Sequence, residues 1–496
     1  MRNSHIIMLL LAGCEVKDAA TGKETAPPDT ASADADTDAD ADTDADADTD
    51  TGTDTDTAPP SQVELDLGSS ADAVLIGEAA FDGSLGMSVS SAGDVDGDGH
   101  LDLLVGLAAN VTSGASQGAA YLVRGPVTAR FVLSSAEAKL VGSDVDYLGS
   151  AVTFAGDLNS DGFDDLLVGA SGGRGENLAG RAYVVLGPVS GERNLVDDAD
   201  ATIYGESGEG DGDSLMGASL ASAGDVDGDG APDILVGAPC FSLCSGAAYL
   251  FRGPIIGEYT ASDAEMSMVG GPVEWLGYRL AGAGDTDGDG LDDVLVSAGD
   301  SVLLLEGPLS GTLSPTDADA TLLPEATGDL GSAVAPGADL DGDGYTDVLL
   351  GNSGDDAGGR GAGSAYALLC PLYGDVEMGA ADAKFVGVDE RSLAGSALAA
   401  MDVDGDTLPD VVVGAPGYDV GGAAYVVMGP FWGVTSLGNA AVVLRGDGDD
   451  EAGSAISGLG DADGDGRADF LVAGPNDDEG GEMAGAAWLM LGASIP

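Results

Sequence analysis

Histidine is nearly missing: the chain of 496 residues has two, His5 and His100. Proton-transfer catalysis runs most often through histidine, so that class of enzyme has almost no starting material here. Positive charge is scarce as well. Sixteen Lys and Arg stand against 87 Asp and Glu, for a formal net charge of −71. Such a chain repels nucleic acid and anionic lipid surfaces, and divalent cations are its natural counterions. Aromatic residues are only 5% while glycines number 82, which suits tight turns and short strands better than long helices. Long apolar runs are absent too; residues 6–11 are too few to span a bilayer as a helix. A hydrophobic content of 44% nonetheless argues against global disorder.

Cysteines are four. Cys14 follows Leu11-Ala12-Gly13, behind Arg2 and the short apolar run. This resembles a bacterial lipoprotein signal over residues 1–13, in which Cys14 is acylated and anchors the exported chain by lipid alone, at the outer surface of a bacterial membrane. A chance apolar start is the other reading. Cys240 and Cys244, in CFSLC, are close enough for a small disulfide, which export would permit; a share in a metal site is disfavoured because neither histidine is near. Cys370 reads as a buried thiol.

Residues 14–60 form an Asp/Thr/Ala-rich stretch, DADADTDADADTD and its neighbours. No core can form from it and like charges keep it extended, so it reads as a disordered acidic linker.

From residue 64 to 496 one pattern recurs about every 60 residues. It begins with a segment such as LGSAVTFAG (148–156), passes an acidic loop, and enters an aliphatic run such as DLLVGA (165–170). GRAYVVLGP (180–188) follows, and a short strand such as AKLVG (138–142) ends the unit. Four short strands per unit, divided by Gly, Pro and Asp turns, predict an all-β chain: a seven-bladed β-propeller of four-stranded blades. The last unit stops at GAAWLMLGASIP, after its third strand, whereas AVLIG (73–77) precedes the first unit and matches a fourth. The N-terminal strand is therefore expected to close the ring.

Each acidic loop places oxygen-bearing side chains at positions 1, 3, 5 and 9. In the first these are Asp94, Asp96, Asp98 and Asp102. Alternate side chains on a tightly curled loop converge on one point, and Ca²⁺ takes six to eight oxygens there. Four carboxylates at one point would repel strongly without an ion. Mg²⁺, which keeps its waters, suits such a cage less well. The EF-hand is excluded, because it needs a glutamate at position 12, where these loops carry Val105, Val168, Val236, Val296, Leu350, Val413 and Val472.

Asp-x-Asp-x-Asp-Gly-x-x-Asp followed by LLVGAP, with LGxSV before it, resembles the FG-GAP repeat of integrin α-subunit propellers, found also in bacterial surface proteins and in a glycosylphosphatidylinositol phospholipase D family. The resemblance covers residues 64–496 and implies up to seven Ca²⁺, each also held by a backbone carbonyl at position 7. In the first loop that is His100. The second set is Asp157, Asn159, Asp161, Phe163 (backbone) and Asp165; the third Asp225, Asp227, Asp229, Ala231 (backbone) and Asp233. The fourth is Asp285, Asp287, Asp289, Leu291 (backbone) and Asp293; the fifth Asp339, Asp341, Asp343, Tyr345 (backbone) and Asp347. The sixth is Asp402, Asp404, Asp406, Leu408 (backbone) and Asp410; the seventh Asp461, Asp463, Asp465, Arg467 (backbone) and Asp469. Thr407 replaces the position-6 glycine in the sixth loop, so that site is expected to be the weakest or distorted. The segment after the second strand decays to VSAGD in the fourth repeat and LLGNS in the fifth; those blades should keep their strands and lose loop geometry.

The resemblance implies a calcium-stabilised, membrane-anchored module that offers a propeller face to a protein or glycan partner and binds no nucleic acid. Two alternatives stand: a hydrolase like the phospholipase relatives, or a passive surface protein. No GxSxG elbow in a strand–turn–helix setting supports the hydrolase, and no catalytic residue is expected. Arg445-Gly446-Asp447 spells a recognition triplet of other proteins, but it closes a fourth strand and reads as chance.

Overall fold

The computed structural model describes residues 62–78, 88–108, 117–143, 146–172, 179–206, 214–325, 328–336 and 338–496. Residues 1–61 lie outside the described residues, and with them lie the signal, Cys14 and linker expectations.

Seven antiparallel four-stranded blades are present, and each carries a fifth strand. Blade 1 runs Ser88–Gly93, Asp102–Leu107, Ala119–Val123 and Ala138–Val141. Its fifth strand, Gly191–Asn194, pairs parallel to the fourth and comes from the connection inside blade 2. The same loan recurs from blade to blade: Gly257–Thr260 joins blade 2 and Gly433–Ser436 joins blade 5. Four-stranded units were expected; the extra strand was invisible because GERN and GEYT alternate no apolar face worth reading as a strand.

The two ends of the propeller segment meet through the same device. Ala73–Ile76 pairs antiparallel with Ala486–Met490 as the fourth strand of blade 7. Val63–Asp66, just before it, pairs parallel with Val442–Arg445 of blade 6. Asp72 fastens the junction, its Oδ2 accepting from Leu491 N at 2.9 Å and its Oδ1 from Ser494 Oγ at 2.9 Å.

The core lies between blades rather than within them. Among the described residues there are seven hydrophobic clusters, and each draws on two adjacent blades. Successive residues of a strand point to opposite faces, and the run DLLVG obeys this: Leu104 packs toward blade 2, Leu103 and Val105 toward blade 7. Both faces are buried, which is why the second strands are apolar without a break. The glycine closing that run lets blades touch. A β-carbon on Gly106 would run into the carbonyl oxygen of Gly149 in the next blade, and Gly169, Gly351 and Gly414 face the same contact.

Candidate metal-binding loops

Every acidic loop joins the inner strand of a blade to the second one, so all seven lie at the same end of the blades. In loop 1, Asp94 organises the turn. Its Oδ1 accepts from Gly97 N (2.8 Å) and Asp98 N (3.1 Å), and its Oδ2 from Gly99 N (2.9 Å). Asp96 Oδ1 accepts from Asp98 N at 3.2 Å, and Asp98 Oδ1 from His100 N at 2.9 Å. These bonds curl the chain until alternate side chains converge. Gly99 has a φ of +86°, a region open to glycine and strained for other residues.

The position-9 aspartates begin or immediately precede the second strands and are buried. Each spans two turns. Asp102 Oδ2 accepts from Val95 N (3.1 Å) inside its loop, and its Oδ1 accepts from Gly125 N (3.0 Å) beyond the third strand. Asp165, Asp233, Asp293, Asp347, Asp410 and Asp469 make the equivalent pair, for example to Leu158 and Gly187 or to Ala462 and Gly492. This second role had no signal in the loop motif itself; it needed the neighbouring hairpin. Burial pushes the carboxyls of Asp102, Asp165, Asp233, Asp347 and Asp410 up to about 6, against the pull of those backbone N–H groups.

The donor set suits a hard divalent cation. Carboxylate oxygens gather within 4.8 Å of one another from Asp94, Asp96 and Asp102; from Asp225, Asp227 and Asp229; from Asp285, Asp287 and Asp289; from Asp339, Asp341 and Asp347; and from Asp402, Asp404 and Asp410. Oxygen-only crowding of like charge is the pattern Ca²⁺ satisfies. In loop 2, the Asn159 amide instead donates to Asp161 Oδ2 at 3.0 Å. The expected distortion of loop 6 does not occur. Thr407 takes φ +78° and donates to Asp402 Oδ2 at 2.8 Å, as the glycines do. The strain is kept and the geometry is held, because the other hydrogen bonds of the loop are the same as in loop 1.

Neighbouring loops also touch, which the motif did not reveal. Asp164 N donates to the Asp94 carbonyl at 3.1 Å while Asp94 N donates to Asp164 Oδ2 at 2.7 Å. Asp292 and Asp225 repeat the exchange. The Phe163 ring covers Gly97 and Tyr345 covers Gly288, leaving no room for a β-carbon. Position 3 is also watched by the residue after the third strand. Arg124 meets Asp96 at 3.0 Å and Arg252 meets Asp227 at 2.9 Å. In blade 4 the equivalent residue is Glu306, whose carboxyl is pushed up to about 7 by burial and by Asp319 and Asp287.

Cys240 and Cys244 bracket a one-turn helix, and their sulfurs lie 3.8 Å apart. That separation is longer than the about 2 Å of a sulfur–sulfur bond. Cys370 is a buried free thiol. Arg445 is spent on the half-buried Tyr418 (2.8 Å) and the exposed Glu64 (3.1 Å) of the same propeller, which agrees with the chance reading of its triplet. The VSAGD departure replaces the connection after the second strand of blade 4 by Gly299 and Asp300 alone. In blade 5, Asn352 of LLGNS accepts from Asp329 N at 2.7 Å and keeps its turn anchored.

A ring of blades with an oxygen-rich loop at the same end of each defines a repeat propeller. Five segments, 85–123, 148–185, 216–250, 330–368 and 394–427, match the family model of the FG-GAP repeat. The chain carries FG-GAP repeats and is similar over part of its length to integrin α-subunits. Integrin alpha-7 of Rattus norvegicus is 35% identical over 144 residues, 29% of this chain and 12% of that protein. Integrin alpha-X of Homo sapiens is 33% identical over 174 residues, 34% of this chain and 14% of that one. Integrin alpha pat-2 of Caenorhabditis briggsae is 27% identical over 277 residues, 50% and 21% of the two chains. The chain therefore spans between 12% and 21% of the length of these relatives. Among solved structures, BBS1N in complex with ARL6DN, soaked with lead, aligns over 85% of this chain and 94% of that one at TM-score 0.40 and 13% identity, a likeness too slight to bear on function.

Proposed function

We propose that the protein is a calcium-stabilised, membrane-anchored, extracytoplasmic binding or adhesion module, without enzymatic activity, that presents one propeller face to a protein or glycan partner. The observation that carries this reading is the gathering of carboxylates in loops at one end of the blades, joined to homology with integrin α-subunits. The side chains at positions 1, 3, 5 and 9 would hold Ca²⁺, with the position-7 carbonyl. The ion supplies positive charge where the chain stacks negative charge, so its role is structural: it pins the turn between the first two strands of each blade.

The anchor is a lipid on Cys14, and the acidic stretch to residue 60 is the spacer. No helix among the described residues is long and apolar enough to cross a membrane. Mass spectrometry of membrane fractions should find an acylated Cys14, and Cys14→Ser should release the protein in soluble form; retention of that variant in the membrane would overturn the anchor.

The main test is elemental analysis of the purified domain, followed by a pull-down from outer-surface extracts with and without chelator. Several Ca²⁺ per chain and a partner lost on chelation are expected. A metal count near zero would sink the reading.

A further inference from the structure

The inner strands of all seven blades line a cavity of about 240 Å³ at the end opposite the acidic loops. At one equivalent position six blades place a small residue: Ser88, Ala151, Ser219, Ala333, Ala397 and Ala455. Blade 4 places Arg279 there. In a chain with 87 acids, no acidic residue lines this cavity among the described residues, and Arg279 is its one cation.

The arginine is held, not loose. Its backbone N donates to Ser297 Oγ at 2.8 Å, where five other blades have glycine (Gly106, Gly169, Gly237, Gly351, Gly414). Its Nε donates to the Ser332 carbonyl at 3.1 Å, and the guanidinium lies 4.5 Å from the centre of the Tyr278 ring. Asp329 feels its charge without forming an ion pair with it. One edge of the guanidinium is thus used for positioning. The Nη atoms, the pair that grips a carboxylate in a fork, meet no acceptor among the described residues.

We propose that the cavity mouth is a docking site for a single carboxylate side chain, Asp or Glu, presented by a loop of a protein partner, with Arg279 as its clamp. The inference rests on the reading of the chain as a binding module and names the chemistry of its partner. Size and charge choose the occupant. The cavity admits about one side chain, and the −71 net charge opposes a polyanionic glycan far more than one acid on an otherwise neutral loop.

The test uses the full chain in calcium, titrated with acetyl-Gly-Asp-Gly-amide, its Asn counterpart, and glucuronate, followed by ligand-observed NMR. The Asp peptide should bind at least about tenfold better than the Asn peptide. Arg279→Ala should abolish that difference and Arg279→Lys should keep part of it. Alanine stands at this position in four blades, so the variant keeps the fold, which its melting curve checks. Equal binding of the two peptides, or an unchanged difference in Arg279→Ala, overturns the proposal. Glucuronate binding better than the Asp peptide overturns the assignment to a protein partner. A surface partner captured equally by Arg279→Ala overturns the clamp while leaving the binding-module reading standing.

Discussion

The two ends of the blades obey different rules. At one end seven loops share one spacing and the pair of N–H groups held by each position-9 aspartate. At the other end the described connections between the second and third strands differ from blade to blade. Two residues join the second and third strands in blade 4, whereas residues 353–363 do so in blade 5, and a one-turn helix at Phe241–Cys244 fills the place in blade 3. Uniform loops answer a demand that is the same in every blade, which is structural. Loops that are free to vary are where a partner can be chosen. Under the proposed function, stability and recognition fall at opposite ends of the blades.

Removing the ion should expose this division most strongly. A ligand bound only by the folded state adds RT ln(1 + [L]/Kd) per site, about 2 kcal/mol at some tens of Kd, so emptying several sites should lower the melting temperature by more than about 10 °C. Scanning calorimetry in millimolar calcium and then in chelator measures it. A shift of one or two degrees would mean that the acidic end does not depend on metal.

Within one loop the comparison sharpens. Asp102→Ala removes the acceptor of two backbone N–H groups as well as a ligand, so it should cost about 3 kcal/mol and remain costly in chelator. Asp96→Ala removes a ligand that accepts one exposed bond and meets Arg124 in a half-exposed ion pair, so most of its cost should appear only when calcium is present. Denaturant melts of both variants under both conditions give the four numbers. Equal calcium dependence would show that position 9 acts purely as a ligand.

The two ends also differ in how far the sequence could be read. The loops, the aliphatic second strands and the strand exchange at AVLIG were legible because each is written in a local period: alternate oxygens, both-face burial, and a fourth strand out of place. The fifth strands were not, because GERN or GEYT is polar and its partner lies in the next blade. Nor was the Asp94–Asp164 exchange, which links residues 70 positions apart. At the variable end the sequence showed decay, as in VSAGD, but nothing in LGYR marked Arg279. Its meaning appears only when seven equivalent residues stand around one cavity.

Thr407 gives a smaller, signed test. It holds the glycine geometry at φ +78°, a left-handed conformation that costs a side-chain-bearing residue about 1–2 kcal/mol. Glycine is floppier in the unfolded chain, which offsets part of the gain, so Thr407→Gly should stabilise by about 1 kcal/mol and tighten the sixth site. Gly99→Thr should do the reverse in the first loop. If Thr407→Gly were neutral in both stability and metal affinity, the strain would be stored nowhere that matters.

The smallest expected effect belongs to the variable end and should ignore calcium. Asp450 is 7% exposed, and burial pushes its carboxyl up to about 6 from an ordinary 3.8, with Asp477 adding to the rise and the N–H of Asp447 opposing it. A carboxylate raised in the folded state binds a proton there that the unfolded chain has already released. Its effect on stability is therefore a penalty, absent below about pH 4, growing through the interval to pH 6, and complete above it. Asp450→Asn removes the charge and keeps a carbonyl oxygen for the Asp447 N–H, now 2.8 Å from Oδ2. With solvent screening allowed for, the variant should gain about 1 kcal/mol over the parent at pH 7.5 and nothing at pH 4. The gain should be the same in calcium and in chelator. A gain that disappeared in chelator would place Asp450 among the metal ligands and break the division between the two ends.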